Sequence, residues 1–181
     1  MKMIKKEEYA IIIDYLPYGY PLEGKMMPIA QAIGLENFTL LQLFPRKGMT
    51  LQLKEKVYIG EGKRDKIYSI LWRLPPEKLT ETAKTQIQEF VKKVVEEKEK
   101  EFVSFFNKAE AINTRLHQLE LLPGFGKKHM KEILEERQKD EFKSFSDIRK
   151  RIPSLPDPKT AVEKRIIEEL TGNERHNLFV R

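Results

Sequence analysis

The sequence predicts an α+β protein: an N-terminal small β-barrel, a helical spacer, and a compact all-α unit at the C-terminal side. Three observations carry this. Short runs rich in β-branched and aromatic residues, separated by Gly and Pro, fill the first 75 residues. Apolar residues at helical spacing take over after Pro75-Pro76. Leu121-Leu122-Pro123-Gly124-Phe125-Gly126-Lys127-Lys128 then has the form of a tight connection between two helices. The expected organisation is a barrel over 1–75, a spacer over 76–111, a helical domain over 112–173 and a tail over 174–181.

Tyr9 to Tyr15 reads as the first strand, followed by a Pro/Gly/Tyr loop from Pro17 to Gly24. Pro28 to Ile33, closed by Gly34, and Phe38 to Phe44, ended by Pro45 and Gly48, are the second and third. Lys56 to Ile59 and Lys66 to Trp72 are expected to pair as a hairpin around Gly60-Glu61-Gly62-Lys63-Arg64-Asp65. Five short strands, a long first loop and a basic fourth loop suggest a small closed OB-like barrel, although an SH3-like barrel reads almost the same.

Thr80 is placed to cap a helix whose apolar positions are Ala83, Ile87, Phe90, Val91 and Val94. The polar run Glu96 to Glu101 interrupts the stripe before Phe102, Val103, Phe105 and Phe106 resume it, which fits one long helix or two with a break. Thr114 is read as the cap of a helix ending at Leu122, and the next helix runs from Lys127 to Arg137. Ser144 with Asp147 resembles a capping box for a helix reaching Ile152. Asp157, Pro158 and Gly172 delimit a last helix over Pro158–Thr171. The segment His176 to Val180 is suited to return as a strand against the barrel.

The chemistry of the Leu122–Lys128 connection is that of a phosphate clamp. Gly124 and Gly126 permit positive φ and close approach of another backbone. The helix that follows begins with unpaired N–H groups at its positive dipole end, and Lys127 and Lys128 add full charges. This run resembles the helix-hairpin-helix motif: apolar residue, Pro-Gly, apolar residue (Phe125 here), Gly, helix. The resemblance implies hairpin amides that bind a nucleic-acid phosphate without reading sequence. Leu155-Pro156-Asp157-Pro158-Lys159-Thr160 occupies the place of a second hairpin but lacks both glycines. Pro158 has no N–H and Asp157 repels phosphate, so this turn is read as structural.

In the barrel, Arg46, Lys47, Lys63 and Arg64 are candidate phosphate contacts, and Tyr18 and Tyr20, in a polar loop, are candidate stacking platforms for bases. Phe38 and Phe44 are read as core. His117, His129 and His176 are too scattered for a metal site, and Glu132/Glu136 and Glu168/Glu169 look like surface pairs. With no cysteine and no nucleophile triad, P-loop or Rossmann fingerprint, the expectation is a non-enzyme with no cofactor and no metal.

The formal net charge is +6 over 181 residues. Residues 1–75 carry 12 Lys/Arg against 8 Asp/Glu, 76–111 carry 7 against 8, and 112–181 carry 15 against 12, so the basic excess lies at both ends. That distribution favours an anionic partner. No apolar run reaches the length of a membrane span and Met1–Lys6 lacks a signal-peptide stretch, so a cytoplasmic protein is expected, without membrane association. Lys and Glu dominate the charged set, as in many heat-adapted proteins. The barrel–spacer–hairpin order, Leu119 to Lys128, Phe102-Val103-Ser104-Phe105-Phe106-Asn107, Thr114-Arg115-Leu116-His117 and Arg165 to Leu170 together resemble a largely archaeal, uncharacterised family of predicted RNA-binding proteins. The resemblance implies non-catalytic nucleic-acid binding, with RNA favoured over DNA. Branched or duplex DNA of the junction type, and a protein partner in an adaptor role, are the alternative expectations.

Overall fold

The computed structural model describes residues 6–24, 26–172 and 174–181. Residues 1–5, part of the stretch read above for the lack of a signal peptide, lie outside the described residues. Contacts divide the chain into two compact units: Met1–Glu89 with Glu169–Arg181, and Phe90–Glu168. Residues of the 76–111 segment fall in both.

In the first unit the strands are β1 (Tyr9–Leu16), β2 (Ile29–Gly34), β3 (Leu40–Pro45), β4 (Lys56–Tyr58) and β5 (Ile67–Trp72). All pairings are antiparallel and the order is β4-β1-β2-β3-β5. Ala10, Ile12, Ala32, Leu41, Leu43 and Ile67 line one buried face. A bulge between Ile12 and Asp14 turns Asp14 onto the opposite face, in register with Gln31. There the Asp14 carboxylate accepts the Thr80 hydroxyl at 2.5 Å, and the Gln31 side chain takes the Thr80 N–H at 3.1 Å while donating to the Lys78 carbonyl at 2.8 Å. These bonds fasten the start of α1 (Glu81–Glu97) across the sheet, and Thr80 caps that helix through the Ala83 N–H.

The expected closed barrel is corrected by this pairing: the sheet is a curled half-barrel. β4 pairs with β1 and β5 with β3, so the expected β4–β5 hairpin does not form and both strands are edges. The connecting loop wraps around Tyr58 instead. The Tyr58 hydroxyl accepts the Gly62 N–H at 3.0 Å, and Arg64 Nε donates to the Gly60 carbonyl at 2.8 Å. A Cβ on Gly60 would overlap the Tyr58 ring.

The polar run after α1 breaks the helix at Lys98 (φ −107, ψ 35), and α2 occupies Glu99–Lys108. In the second unit α3 is Lys127–Lys139 and α4 is Phe145–Arg151, capped by Ser144, which accepts the Asp147 N–H at 2.9 Å. The last helix, α5, is Pro158–Thr171. The second unit's aromatic core centres on Phe106, with ring centroids 6.3 Å from Phe125 and 6.4 Å from Phe145.

The expected helix-hairpin-helix domain is also corrected, because its first helix is absent. Between Thr114 and Leu122 the chain makes only a 3-10 turn over Gln118–Leu121, and Ala111 bridges His117 in β fashion. Local side chains outcompete the helix. Asn113 Oδ1 takes the Arg115 N–H at 2.8 Å, and the Glu120 carboxylate takes the His117 N–H at 2.8 Å.

The tail does not form the expected strand. Its amides go to the buried Glu169 carboxylate instead, which accepts from Leu178, Phe179 and Val180 at 2.9–3.0 Å. Glu169, 6% exposed, is thus no surface pair as expected. The end of the chain returns to the sheet through the Arg181 N–H, which donates to the Asn37 carbonyl at 3.0 Å.

Candidate nucleic-acid interface

Strand register in the first unit gathers loops from distant parts of the sequence at one end of the sheet. Leu16 lies opposite Ile29, Ala30 opposite Leu43, and Pro45 opposite Ile67. The loop after β1, the turn after β3 and the approach to β5 therefore share that end. Tyr18 and Tyr20 come from the first, Arg46 and Lys47 from the second and Lys63 from the third, whereas the Arg64 guanidinium turns to the Gly60 carbonyl and lies beside Lys6, Glu8, Glu36 and Glu61. Direct bonds tie the last two loops together: Arg46 Nε donates to the Arg64 carbonyl at 2.8 Å, and the Arg46 N–H to the Lys66 carbonyl at 2.8 Å.

Charge at this end stays largely uncompensated. Lys47 and Lys63 are exposed and, among the described residues, have no ion-pair partner. Glu55 is already held by Lys66 (2.9 Å) and Glu23, in the first loop, by Lys78 (3.1 Å). Exposed Asp65 is the carboxylate interposed between Arg64 and Lys66.

The two tyrosines differ. Tyr18 is 71% exposed and free to stack. Tyr20 is anchored: its hydroxyl donates to Gln42 Oε1 at 2.8 Å and accepts from Gln31 Nε2 at 3.1 Å, with the Lys78 ammonium 5.3 Å from the ring centre. Tyr68, 70% exposed beside the β5 bulge, is a third aromatic that the sequence reading passed over. Alternation offered the signal, since Ile67 before it points into the core.

In the second unit Gly124 has φ +82, a conformation side chains rarely adopt, and a Cβ there would lie 3.3 Å from Pro156. Gly126 is different: φ is −109 and a Cβ would meet open space. Phe125 is 6% exposed and belongs to the core. The Lys127 ammonium is engaged inside the unit, donating to the Arg115 carbonyl at 2.8 Å and pairing with Glu120 at 3.0 Å. Burial acts to raise the Glu120 carboxyl, but the His117 N–H and the Lys127 ammonium outweigh it and hold it below the usual range. Lys128 is exposed with no ion-pair partner among the described residues. Of the predicted clamp, the charge that faces solvent unengaged is therefore Lys128.

The two histidines at this turn serve the fold. His117 is buried and its Nδ1 accepts the Leu119 N–H at 3.1 Å. Burial and the nearby Arg137 hold its imidazole below the ordinary value. His129 Nδ1 accepts the Gly126 N–H at 3.3 Å. In the second turn, Asp157 accepts the Thr160 hydroxyl at 2.7 Å and its carbonyl takes the Ala161 N–H, so it caps α5. Among the described residues no helix is long and apolar enough to cross a membrane, and no three His, Asp or Glu side chains gather as metal ligands.

Three comparisons with known proteins agree. The profile of a family described as "Protein of unknown function (DUF655)" matches residues 6–181. An uncharacterised protein of Methanocaldococcus jannaschii, MJ0038, is 43% identical over 179 residues, spanning 98% of this chain and 81% of that protein. The crystal structure of Af1531 from Archaeoglobus fulgidus superposes with a TM-score of 0.83 at 42% identity, covering 97% of this chain and all of the other.

Proposed function

The chain belongs to the DUF655 family, and on that premise we propose that it is a non-catalytic nucleic-acid-binding protein whose first unit takes single-stranded RNA. The observation that carries this reading is the convergence of Arg46, Lys47 and Lys63 with exposed Tyr18 and Tyr68 at one end of the half-barrel. A single strand needs positive charge along its backbone and aromatic faces for its bases, and this end offers both. Lys128 in the second unit adds a phosphate contact that reads no sequence. The non-catalytic part is supported by the ionisable groups the fold buries. Glu7 and Glu169 spend their oxygens on backbone amides and His117 spends its acceptor on Leu119.

Fluorescence anisotropy of a labelled single-stranded RNA of about 16 nucleotides tests the proposal. Tyr18→Ala is expected to weaken binding by about 1–3 kcal/mol and leave the melting temperature unchanged. Tyr20→Ala is expected to lower the melting temperature, because Gln31 and Gln42 lose a partner. RNA that fails to bind at low salt removes the proposal and favours the protein-adaptor reading. A four-way DNA junction that outcompetes single-stranded RNA moves it to branched DNA.

A further inference from the structure

Strand β5 leaves part of its backbone without a strand partner. It pairs with β3 alone and ends the sheet. The Leu74 N–H donates to the Leu40 carbonyl, which fixes Leu40, Gln42 and Phe44 as the β3 residues whose backbone faces β5. Alternation along an antiparallel ladder then turns the groups of Ser69 and Leu71 towards β3 and those of Ile70 and Trp72 away from it. Sheet edges are ordinarily blunted by proline, extreme shortness or charges on the strand itself. β5 has six residues with no proline and no charge, and its bulge at Tyr68 precedes the Ile70–Trp72 stretch, whereas the opposite edge, β4, has three residues. Tyr68 and Leu71 on it are 70% and 54% exposed.

Charge decides what fits this edge. Lys63 and Lys66 precede β5 and Arg73 follows it, against Asp65 and the Glu55 that pairs with Lys66 at 2.9 Å, so Lys63 and Arg73 are the flanking charges left for a partner. We propose that the free edge of β5 is a strand-addition site for an extended acidic segment of a partner protein. Main-chain bonds to Ile70 and Trp72 supply affinity without demanding a sequence, and the basic flanks select acidic residues. A second copy of this chain is a poor occupant. Antiparallel pairing of β5 with another β5 sets Lys66 of one chain beside Arg73 of the other at both ends, and like charges directly opposite destabilise a pair. The main-chain part of the inference stands apart from the nucleic-acid reading, while its basic flank shares Lys63 with it.

The test uses the full isotopically labelled chain and an end-blocked peptide alternating Glu and Val, at about 0.15 M salt. In the free chain the Ile70 and Trp72 amides are expected to exchange with solvent readily. Saturating peptide is expected to slow both about tenfold or more, while Ser69 and Leu71, already bonded to β3, change little. Methylating alternate peptide amides removes two main-chain bonds without touching charge and is expected to weaken binding about tenfold. A Lys/Val peptide is expected not to bind. Binding that survives methylation, protection that spares Ile70 and Trp72, or no binding of the acidic peptide overturns the proposal. So does a dimer in which the free chain already protects those two amides.

Discussion

Replacing Gly34 by alanine tests how the chain leading into β1 is fixed to the sheet. Glu7, 3% exposed, lies against Gly34, and a Cβ there would overlap its carboxylate and come 2.6 Å from its Cγ. The side chain itself moves cheaply, so the penalty lies in what it leaves behind. Its oxygens accept the N–H groups of Asn37 at 2.7 Å and Glu36 at 2.8 Å, and the Thr39 hydroxyl at 3.2 Å. Bonds to a charged acceptor contribute about 1.5–3 kcal/mol each, so losing the two short ones costs about 3–6 kcal/mol. Glu36 is exposed and its amide can rehydrate, which places the expectation at the lower end, about 3 kcal/mol. Guanidinium unfolding with linear extrapolation measures it. The companion cycle is sharper: once Glu7→Ala is present, Gly34→Ala should add less than about 1 kcal/mol, because the contact is already gone. Additive losses, or a Gly34→Ala cost below about 1 kcal/mol on its own, would refute the reasoning.

At the turn before α3, Gly124→Ala is expected to cost about 1–2 kcal/mol for its left-handed backbone, and Gly126→Ala only a few tenths, by the same unfolding assay. If RNA contacts this turn, Gly126→Ala weakens binding in anisotropy even though it spares stability. His117 gives a pH dependence. Its folded imidazole is held below the ordinary 6.5, so its contribution is complete above that value and is lost as pH falls through the lowered folded one. His117→Asn keeps an acceptor for the Leu119 N–H without titrating, and its stability is expected to fall less than that of the unaltered chain between neutral and mildly acidic pH.

The strands and most helix ends were legible because their causes are local. Thr80 and Ser144 announce caps through chemistry confined to one turn, and each accepts a helix N–H, while Asp157 marks the start of α5 with its carboxylate on the Thr160 hydroxyl. The first helix of the hairpin was misread because Leu116, Leu119 and Leu122 do recur at helical spacing, yet Asn113, His117 and Glu120 capture the backbone amides that a helix would need. The β4–β5 hairpin was misread for a different reason. Adjacency in sequence suggested pairing, but β1 and β3 claim those strands, a choice made by partners about 22 to 49 residues away. The buried charges were illegible for the same cause: Glu7 meets Asn37 and Thr39 across the sheet, and nothing in its own neighbourhood marks it as interior. For the candidate site, residue types were readable but not their engagement. Tyr18 and Tyr20 look alike in sequence, as do Lys127 and Lys128, and only the fold separates the anchored member of each pair from the free one.

The central claim, that the basic end of the half-barrel holds a nucleic-acid backbone, is tested most directly by the salt dependence of RNA affinity. Lys47 and Lys63 are the charges to remove, since both are exposed and unengaged and Lys→Gln at each should leave folding intact. Each phosphate neutralised on a single strand contributes about 0.7 to the slope of log affinity against log salt. The Lys47→Gln, Lys63→Gln double variant is therefore expected to lower that slope by about 1.4, equally for RNAs of different sequence. A slope that does not change, or RNA binding with no salt dependence at all, would contradict the account.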